Sequence, residues 1–197
     1  MMKRALDIVA SLLALVVLLP LLLLIALAVA LTTPGGAFFK QVRVGREGRE
    51  FGLLKFRSMR PGSESKGQIT VGGRDPRITG VGYLLRKTKL DELPQLWNVL
   101  VGDMSSVGPR PEVPKYVALY TSEQRAVLEV RPGITSLASI AYIDENEVLG
   151  RSSDPERTYV EEVMPAKLKL DLQYVSERSL GLDLRIILRT LARMLGM

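Results

Sequence analysis

Leu12-Leu13-Ala14-Leu15-Val16-Val17-Leu18-Leu19-Pro20-Leu21-Leu22-Leu23-Leu24-Ile25-Ala26-Leu27-Ala28-Val29-Ala30-Leu31 holds no charged side chain, and apart from Pro20 every residue is apolar. At 1.5 Å per residue a helix of this stretch reaches about 30 Å, the thickness of a bilayer core. The run is too long for the apolar region of a cleaved signal peptide, and Thr32-Thr33-Pro34 is a poor cleavage site. A membrane segment remains, and it has two readings. A single helix that crosses the bilayer is the simpler one. Against it, Pro20 removes one helical hydrogen bond at the middle of the run. Basic residues also flank both ends, Lys3 and Arg4 before, Lys40, Arg43, Arg46 and Arg49 after. Such flanks belong in the cytoplasm, and both can be there only if the segment enters, turns near Pro20 and returns. The backbone groups freed at such a turn must be satisfied internally.

Outward from this segment, Thr33-Pro34-Gly35-Gly36 marks its end. Phe38 to Val44 and Phe51 to Phe56 read as strands joined at Glu47-Gly48-Arg49, a β-hairpin. Pro61 to Gly73 reads as a mobile loop. Helices are expected over Ile78–Thr88, Leu93–Val101, Ser122–Val130 with Ser122 as N-cap, and Val160–Ser176. In Asp183–Met197, Leu184, Ile187, Leu188, Leu191 and Leu195 recur at helical spacing, and Arg185, Arg189 and Arg193 step along another face. That pattern fits a helix packed on the core and equally a basic amphipathic helix in the headgroup zone of a membrane. The chain is therefore α+β and mostly helical: a membrane segment over residues 1–36, and one compact unit over 37–197 holding the hairpin and the amphipathic helices.

The 197 residues suffice for one domain with a real core. Lys and Arg total 27 against 21 Asp and Glu, a net charge of +6, which suits a phosphate-bearing partner: nucleic acid, anionic lipid or nucleotide. No Arg/Lys–aromatic interleaving and no known module supports nucleic acid. The chain has neither cysteine nor histidine. Disulfides, thiol nucleophiles, histidine bases and zinc sites of the usual kinds are thereby excluded. Carboxylates, lysine or tyrosine must supply any acid, base or nucleophile. Any metal must take oxygen ligands, which points to Mg²⁺ or Mn²⁺.

The densest polar information lies in Arg86-Lys87-Thr88-Lys89-Leu90-Asp91-Glu92-Leu93-Pro94-Gln95-Leu96-Trp97-Asn98. Asp91 is placed to cap a helix with Pro94 in its first turn, where a missing N–H costs nothing. Two carboxylates at a positive helix end stay ionised, and the same end attracts phosphate. Arg110 follows between Pro109 and Pro111, which stiffen its backbone, and Arg86 lies five residues before Asp91. Fixed guanidinium forks beside such an end suit a diphosphate, although each could also pair with a neighbouring carboxylate. Adjacent carboxylates cannot flank a glycosidic bond from opposite faces, so a glycosidase is a poor reading.

Lys55-Phe56-Arg57-Ser58-Met59, Asp75-Pro76-Arg77-Ile78-Thr79, Leu90-Asp91-Glu92-Leu93-Pro94-Gln95-Leu96-Trp97-Asn98-Val99, Gly102-Asp103-Met104-Ser105, Val107-Gly108-Pro109-Arg110-Pro111 and Arg131-Pro132-Gly133-Ile134-Thr135 occur in this order. Together they resemble the small bacterial sugar transferases of the monotopic phosphoglycosyl transferase superfamily, and the resemblance runs over nearly the whole chain. It implies transfer of a sugar 1-phosphate from a UDP-sugar to a polyprenyl phosphate, usually undecaprenyl phosphate, on the cytoplasmic face of the bacterial inner membrane. It implies Asp91 as covalent nucleophile within an Asp91–Glu92 pair that holds Mg²⁺. Lys55, Arg57, Arg86, Arg110 and Arg131 would contact phosphates, and the N-terminal segment would re-enter, broken at Pro20, among anionic lipid. A catalytically silent, membrane-anchored scaffold of the same fold is the alternative.

Two stretches depart from the family pattern. Relatives often carry Ser before the membrane proline, where this chain has Leu19. Many follow Arg-Pro-Gly-Ile-Thr with Gly-Trp-Ala-Gln-Val and an Asn-Gly-Arg. Here the chain reads Ser136-Leu137-Ala138-Ser139-Ile140-Ala141-Tyr142-Ile143-Asp144-Glu145, with no arginine at Ile143. The departure marks a place where a different sugar would register.

Overall fold

The structure is a computed structural model that describes residues 2–67, 69–72 and 75–194. In chain order it contains α1 (Met2–Thr32), β1 (Phe38–Val44), β2 (Glu50–Phe56), α2 (Gly80–Lys87), α3 (Gln95–Val101), β3 (Ser105–Val107), α4 (Pro114–Val117), β4 (Gly133–Thr135), α5 (Leu137–Ala141), α6 (Glu145–Gly150), α7 (Pro155–Thr158), α8 (Met164–Glu177) and α9 (Leu180–Met194). It is mostly helical, with two small two-stranded sheets and one long apolar helix at its start.

α1 is one helical element through Pro20, and at 1.5 Å per residue its 31 residues have a contour length of about 46 Å. The helical backbone resumes across the proline rather than ending there. A stripe of buried and half-buried residues (Asp7, Ser11, Leu18, Leu22, Ile25, Val29) faces the rest of the protein. The other faces are bare: Val17 is 75% and Leu31 77% exposed. So large a continuous apolar surface is incompatible with water as its only neighbour.

Both ends of α1 are fastened to the same body. At its start Lys3 Nζ donates to the Val107 carbonyl (2.9 Å), Tyr174 Oη (2.9 Å) and Asp183 Oδ2 (2.6 Å). Arg4 donates to the carbonyls of Val99 (2.5 Å) and Leu100 (2.9 Å), carbonyls that the end of α3 leaves without helical partners. Asp7 accepts from Ser105 Oγ (2.8 Å) and the Ser106 N–H (3.0 Å). At its far end Ile25 and Val29 pack with Phe56 and Leu85, and the Thr33 and Thr79 hydroxyls meet at 3.4 Å.

The hairpin is antiparallel with Phe38 opposite Phe56 and Val44 opposite Glu50, and a 3₁₀ turn over Arg46–Gly48 closes it. Asn98 ties it to α3: its Nδ2 donates to the Gly52 carbonyl (2.9 Å), and its Oδ1 accepts from the Leu54 N–H (3.0 Å). β3 and β4 run parallel, Ser105 opposite Gly133. Gly108 and Gly133 make that approach possible. A Cβ on Gly133 would stand 2.1 Å from the Gly108 nitrogen, a separation no side chain tolerates. Two of the motifs quoted above thus pack directly on each other.

Several expected boundaries shift for identifiable reasons. Thr79 caps α2, accepting from the Gly82 N–H at 3.0 Å. The helix expected over Ser122–Val130 is a 3₁₀ helix over Gln124–Glu129, with Glu123 rather than Ser122 at its N-cap. Thr121 Oγ1 accepts from the Gln124 N–H (3.2 Å), and Gln124 Oε1 accepts from the Thr121 N–H (2.9 Å). The stretch expected as one helix over Val160–Ser176 begins as a π-helix, Tyr159–Val163, just before Pro165, whose missing N–H disturbs the regular ladder there. Leu195, the last residue of the expected C-terminal stripe, lies outside the described residues.

Candidate active site

α2 ends at Lys87, and the chain reverses at Lys89, which adopts the left-handed conformation (φ 57°) that residues with a Cβ adopt at a cost of about 1–2 kcal/mol. A 3₁₀ turn over Leu90–Glu92 then delivers both carboxylates. Asp91 is therefore not the N-cap of α3, as the sequence suggested. Pro94 occupies that position, and Asp91 is freed to face a cavity of ≈730 Å³.

Asp91 is only 4% exposed, and its Oδ1 has no hydrogen-bond partner. Burial, and then the Glu92 charge beside it, raise its carboxyl above the ordinary aspartate value. Lys55, Arg86 and Lys89 pull the other way. Glu92 has the opposite fate. Burial alone would push its carboxyl up, but Arg110 and Lys55 outweigh it and hold it well below the usual range. Arg110 Nη1 donates to Glu92 Oε2 (3.2 Å), Arg110 Nη2 takes Oε1, and Lys55 Nζ reaches Oε1 at 3.0 Å. In return the Glu92 charge strengthens the hold of Arg110 on its proton. Two adjacent carboxylates thus have divergent environments, one paired on both oxygens and one left open.

Of the residues expected to contact phosphate, Lys55, Arg57, Arg86 and Arg110 line this cavity. Arg86 Nη2 donates to Thr70 Oγ1 (2.9 Å) in the Pro61–Gly73 stretch. That loop is tethered: Arg77, paired with Asp75 at 2.6 Å, donates to the carbonyls of Ser63, Gly67 and Ile69. Arg57 uses Nε and Nη2 on the carbonyls of Gly36 and Phe38, pinning the chain between α1 and β1. Arg131 is not brought to the site. Its Nε donates to the Gly102 carbonyl (2.8 Å), where it braces the turn after α3.

The open oxygen of Asp91 suits an oxygen-seeking cation. Glu92 fits that role poorly, because both its oxygens already serve Arg110 and Lys55. Among the described residues no group of three or more acidic side chains encloses an ion. A Mg²⁺ at this site would take most of its ligands from a bound diphosphate and water, its usual habit.

The cavity also holds groups that the sequence did not single out. Arg43, Glu112 and Tyr159 form a network in which Arg43 Nη1 meets Glu112 Oε1 at 3.0 Å and the Tyr159 hydroxyl donates to Oε2. Asp171, on α8, is 4% exposed with Oδ1 unpartnered. α1 contributes Ala10, Ser11, Ala14 and Leu18, and α9 contributes Ile187 and Leu191. One wall is therefore largely apolar and continuous with the long apolar helix α1. The amphipathic pattern of α9 hinted at this wall; nothing in the sequence marked Asp171.

A family model described as bacterial sugar transferase matches residues 1–197. The chain is 40% identical over 196 residues to a UDP-glucose:undecaprenyl-phosphate glucose-1-phosphate transferase of Caulobacter vibrioides, covering 98% of this chain and 69% of that protein. A UDP-N-acetylgalactosamine-undecaprenyl-phosphate N-acetylgalactosaminephosphotransferase of Aeromonas hydrophila is 37% identical, with 98% of this chain and 43% of the relative covered. A UDP-glucose:undecaprenyl-phosphate glucose-1-phosphate transferase of Escherichia coli K12 is 39% identical, with 96% and 39% covered. The chain thus spans less than half the length of the last two.

Proposed function

The chain belongs to the bacterial sugar transferase family, and from that membership and the cavity around Asp91 we propose that it moves a sugar 1-phosphate from a UDP-sugar to undecaprenyl phosphate, releasing UMP. The observation that carries the reading is the contrast between the paired Glu92 and the buried, unpartnered Asp91. An Asp91 oxygen attacks the β-phosphorus. A carboxylate–phosphorus bond forms, and the bond from that phosphorus to the bridging oxygen breaks, its electron pair leaving with UMP. An oxygen of the lipid phosphate then attacks the same phosphorus, and Asp91 departs as a free carboxylate. Arg110, Lys55 and Arg86 offer the positive charge that phosphoryl transfer needs around its equatorial oxygens. A bound Mg²⁺ or Mn²⁺ would neutralise further diphosphate charge, held by Asp91 together with donor oxygens. The test is UMP release from a panel of UDP-sugars with undecaprenyl phosphate present. Release that stops in EDTA and returns with Mg²⁺ is expected. A chain that binds UDP-sugars yet releases no UMP from any of them is a silent scaffold instead.

The acceptor is a membrane lipid, and residues 1–36 form the membrane part that brings the catalytic part, residues 37–197, to the cytoplasmic surface. α1 enters the bilayer and returns. What supports this is that Lys3, Arg4 and Asp7 at one end, and Val29 and Thr33 at the other, all hold the same body. A spanning helix would need those ends on opposite sides. α9 lies at the headgroup level among anionic lipid: Leu184, Leu188 and Leu191 are exposed while Ile186 is fully buried, and Arg185, Arg189 and Arg193 flank them. The chain has no cysteine, so single cysteines replacing Met2 and Gly48 report topology. An impermeant thiol reagent should label neither in intact cells and both after lysis. Labelling at position 2 alone in intact cells would establish a crossing helix.

A further inference from the structure

We propose that Asp171, with Ser139, Tyr142 and the Lys167–Glu145 pair, forms the subsite for the sugar ring of the donor, and that the Asp171 carboxyl group holds one of its hydroxyls. The inference rests on the transferase reading above and assigns the part of the cavity which that reading leaves unused.

Asp171 sits midway along α8, buried, with Oδ1 unpartnered, on the cavity wall. Burying a carboxylate oxygen without a partner is unfavourable, and a ligand hydroxyl removes that penalty. Burial pushes this carboxyl up to about 7, with Lys167 one helical turn away pulling it down. The open Oδ1 calls for a donor, which a ring hydroxyl supplies. The neighbours of Asp171 are polar too. Ser139 and Tyr142 line the same cavity; Ser139 Oγ stands 3.2 Å from Ser136 Oγ, whose hydroxyl faces Asp171, and Lys167 Nζ meets Glu145 Oε2 at 2.5 Å. Lys167 is spent on Glu145, so this wall offers phosphate no free ammonium and suits the uncharged, hydroxyl-rich end of the donor.

Position selects the hexose over the ribose. Arg110 joins the two regions: its guanidinium grips Glu92, and its backbone N–H stands beside Asp171. The Asp171 wall is thus one residue removed from the Asp91–Glu92 turn. In a nucleotide sugar the group bonded to the attacked phosphorus is the hexose, and the ribose lies one phosphate further away. Ser139, Tyr142 and Glu145 belong to the stretch in which this chain departs from the family pattern, where a difference in sugar would be written.

The experiment uses the full chain in detergent with the UDP-hexose it processes best. For Asp171→Asn, kcat/KM for UMP release should fall about 10- to 100-fold, the range expected for losing one hydrogen bond with a buried group. The affinity for UMP, which lacks the hexose, should stay within about twofold by calorimetry. At pH 8 the variant should melt no lower than wild type, since a buried carboxylate has been replaced by a neutral isostere. With the unaltered chain, a series of donors each lacking one ring hydroxyl should contain one that loses a similar factor, and Asp171→Asn should treat that donor and its parent alike. Wild-type kinetics in Asp171→Asn, or a deoxy series in which every donor matches its parent, overturns the subsite alone. Loss of UMP affinity in parallel with kcat/KM overturns it in favour of a ribose contact. An unaltered chain that releases no UMP from any UDP-sugar overturns the transferase reading and the subsite with it.

Discussion

Replacing Asp91 by Asn is expected to lower UMP release by at least about 10⁴-fold, because removal of a covalent nucleophile takes away the whole two-step route rather than one contact. The substitution is nearly isosteric, and the position is buried in a 3₁₀ turn whose bonds are made by backbone groups, such as Glu92 N–H to the Lys89 carbonyl. The fold should survive, and an amide is a poor nucleophile toward phosphorus. The effect should be as large without acceptor lipid as with it, since the first half-reaction is the one lost. Wild-type pH dependence carries a second signature. Burial and the adjacent Glu92 raise the Asp91 carboxyl, and only its ionised form attacks. Activity should therefore fall on the acid side through a value above that of an ordinary aspartate. Glu92→Gln removes the like charge that contributes to the rise, so the acid limb should move to lower pH, whatever else that variant loses. A limb that stays in place, or moves up, assigns the titration to another group.

Arg110→Lys should reduce kcat/KM about 10²- to 10³-fold, the usual scale for losing a preorganised charged donor at a phosphoryl centre. Charge is conserved, so the loss isolates geometry. Arg110 spreads two nitrogens over the two oxygens of Glu92, and flanking prolines hold its backbone. A lysine offers one point charge on a flexible stem and cannot make that fork. One Glu92 oxygen would be left unmatched, its carboxyl would rise, and the turn bearing Asp91 would lose its brace. Kinetics within about threefold of wild type would reduce Arg110 to a bystander, because no donor of this class is that dispensable where it acts.

Much of this arrangement is legible in the sequence because it is local. Phe38–Val44 alternates and pairs as read, and Pro94, expected in the first turn of α3, stands at its N-cap, where a missing N–H likewise costs nothing. What escaped is non-local. Ser105–Val107 and Gly133–Thr135 are three-residue strands too short for periodicity to reveal, and they meet only because Gly108 and Gly133 let two backbones touch. Asp91 carried the signature of a helix cap, yet the left-handed turn at Lys89, which no residue type announces, moves it off the helix and into the cavity. Arg131 stands in a motif like that of Arg110, and only the fold reveals that it braces a carbonyl. Asp171 is one acidic residue in a helical pattern, indistinguishable by sequence from a solvated one until α8 is seen to bury it. Nor could the sequence reveal that both ends of α1 hold one body, because the partners of Lys3, Arg4 and Asp7 lie about a hundred or more residues downstream.

The central claim is that Asp91 carries the sugar phosphate in transit, and peptide mass spectrometry tests it most directly. The chain is incubated with a UDP-sugar that it turns over, without acceptor, and then digested. The account requires a mass increase equal to one sugar phosphate on the peptide containing Asp91, UMP released in equal amount, and loss of the adduct when undecaprenyl phosphate is added. No adduct in the unaltered chain, with UMP appearing only once the lipid acceptor is present, would mean that the lipid phosphate attacks the donor directly and that Asp91 is not the nucleophile.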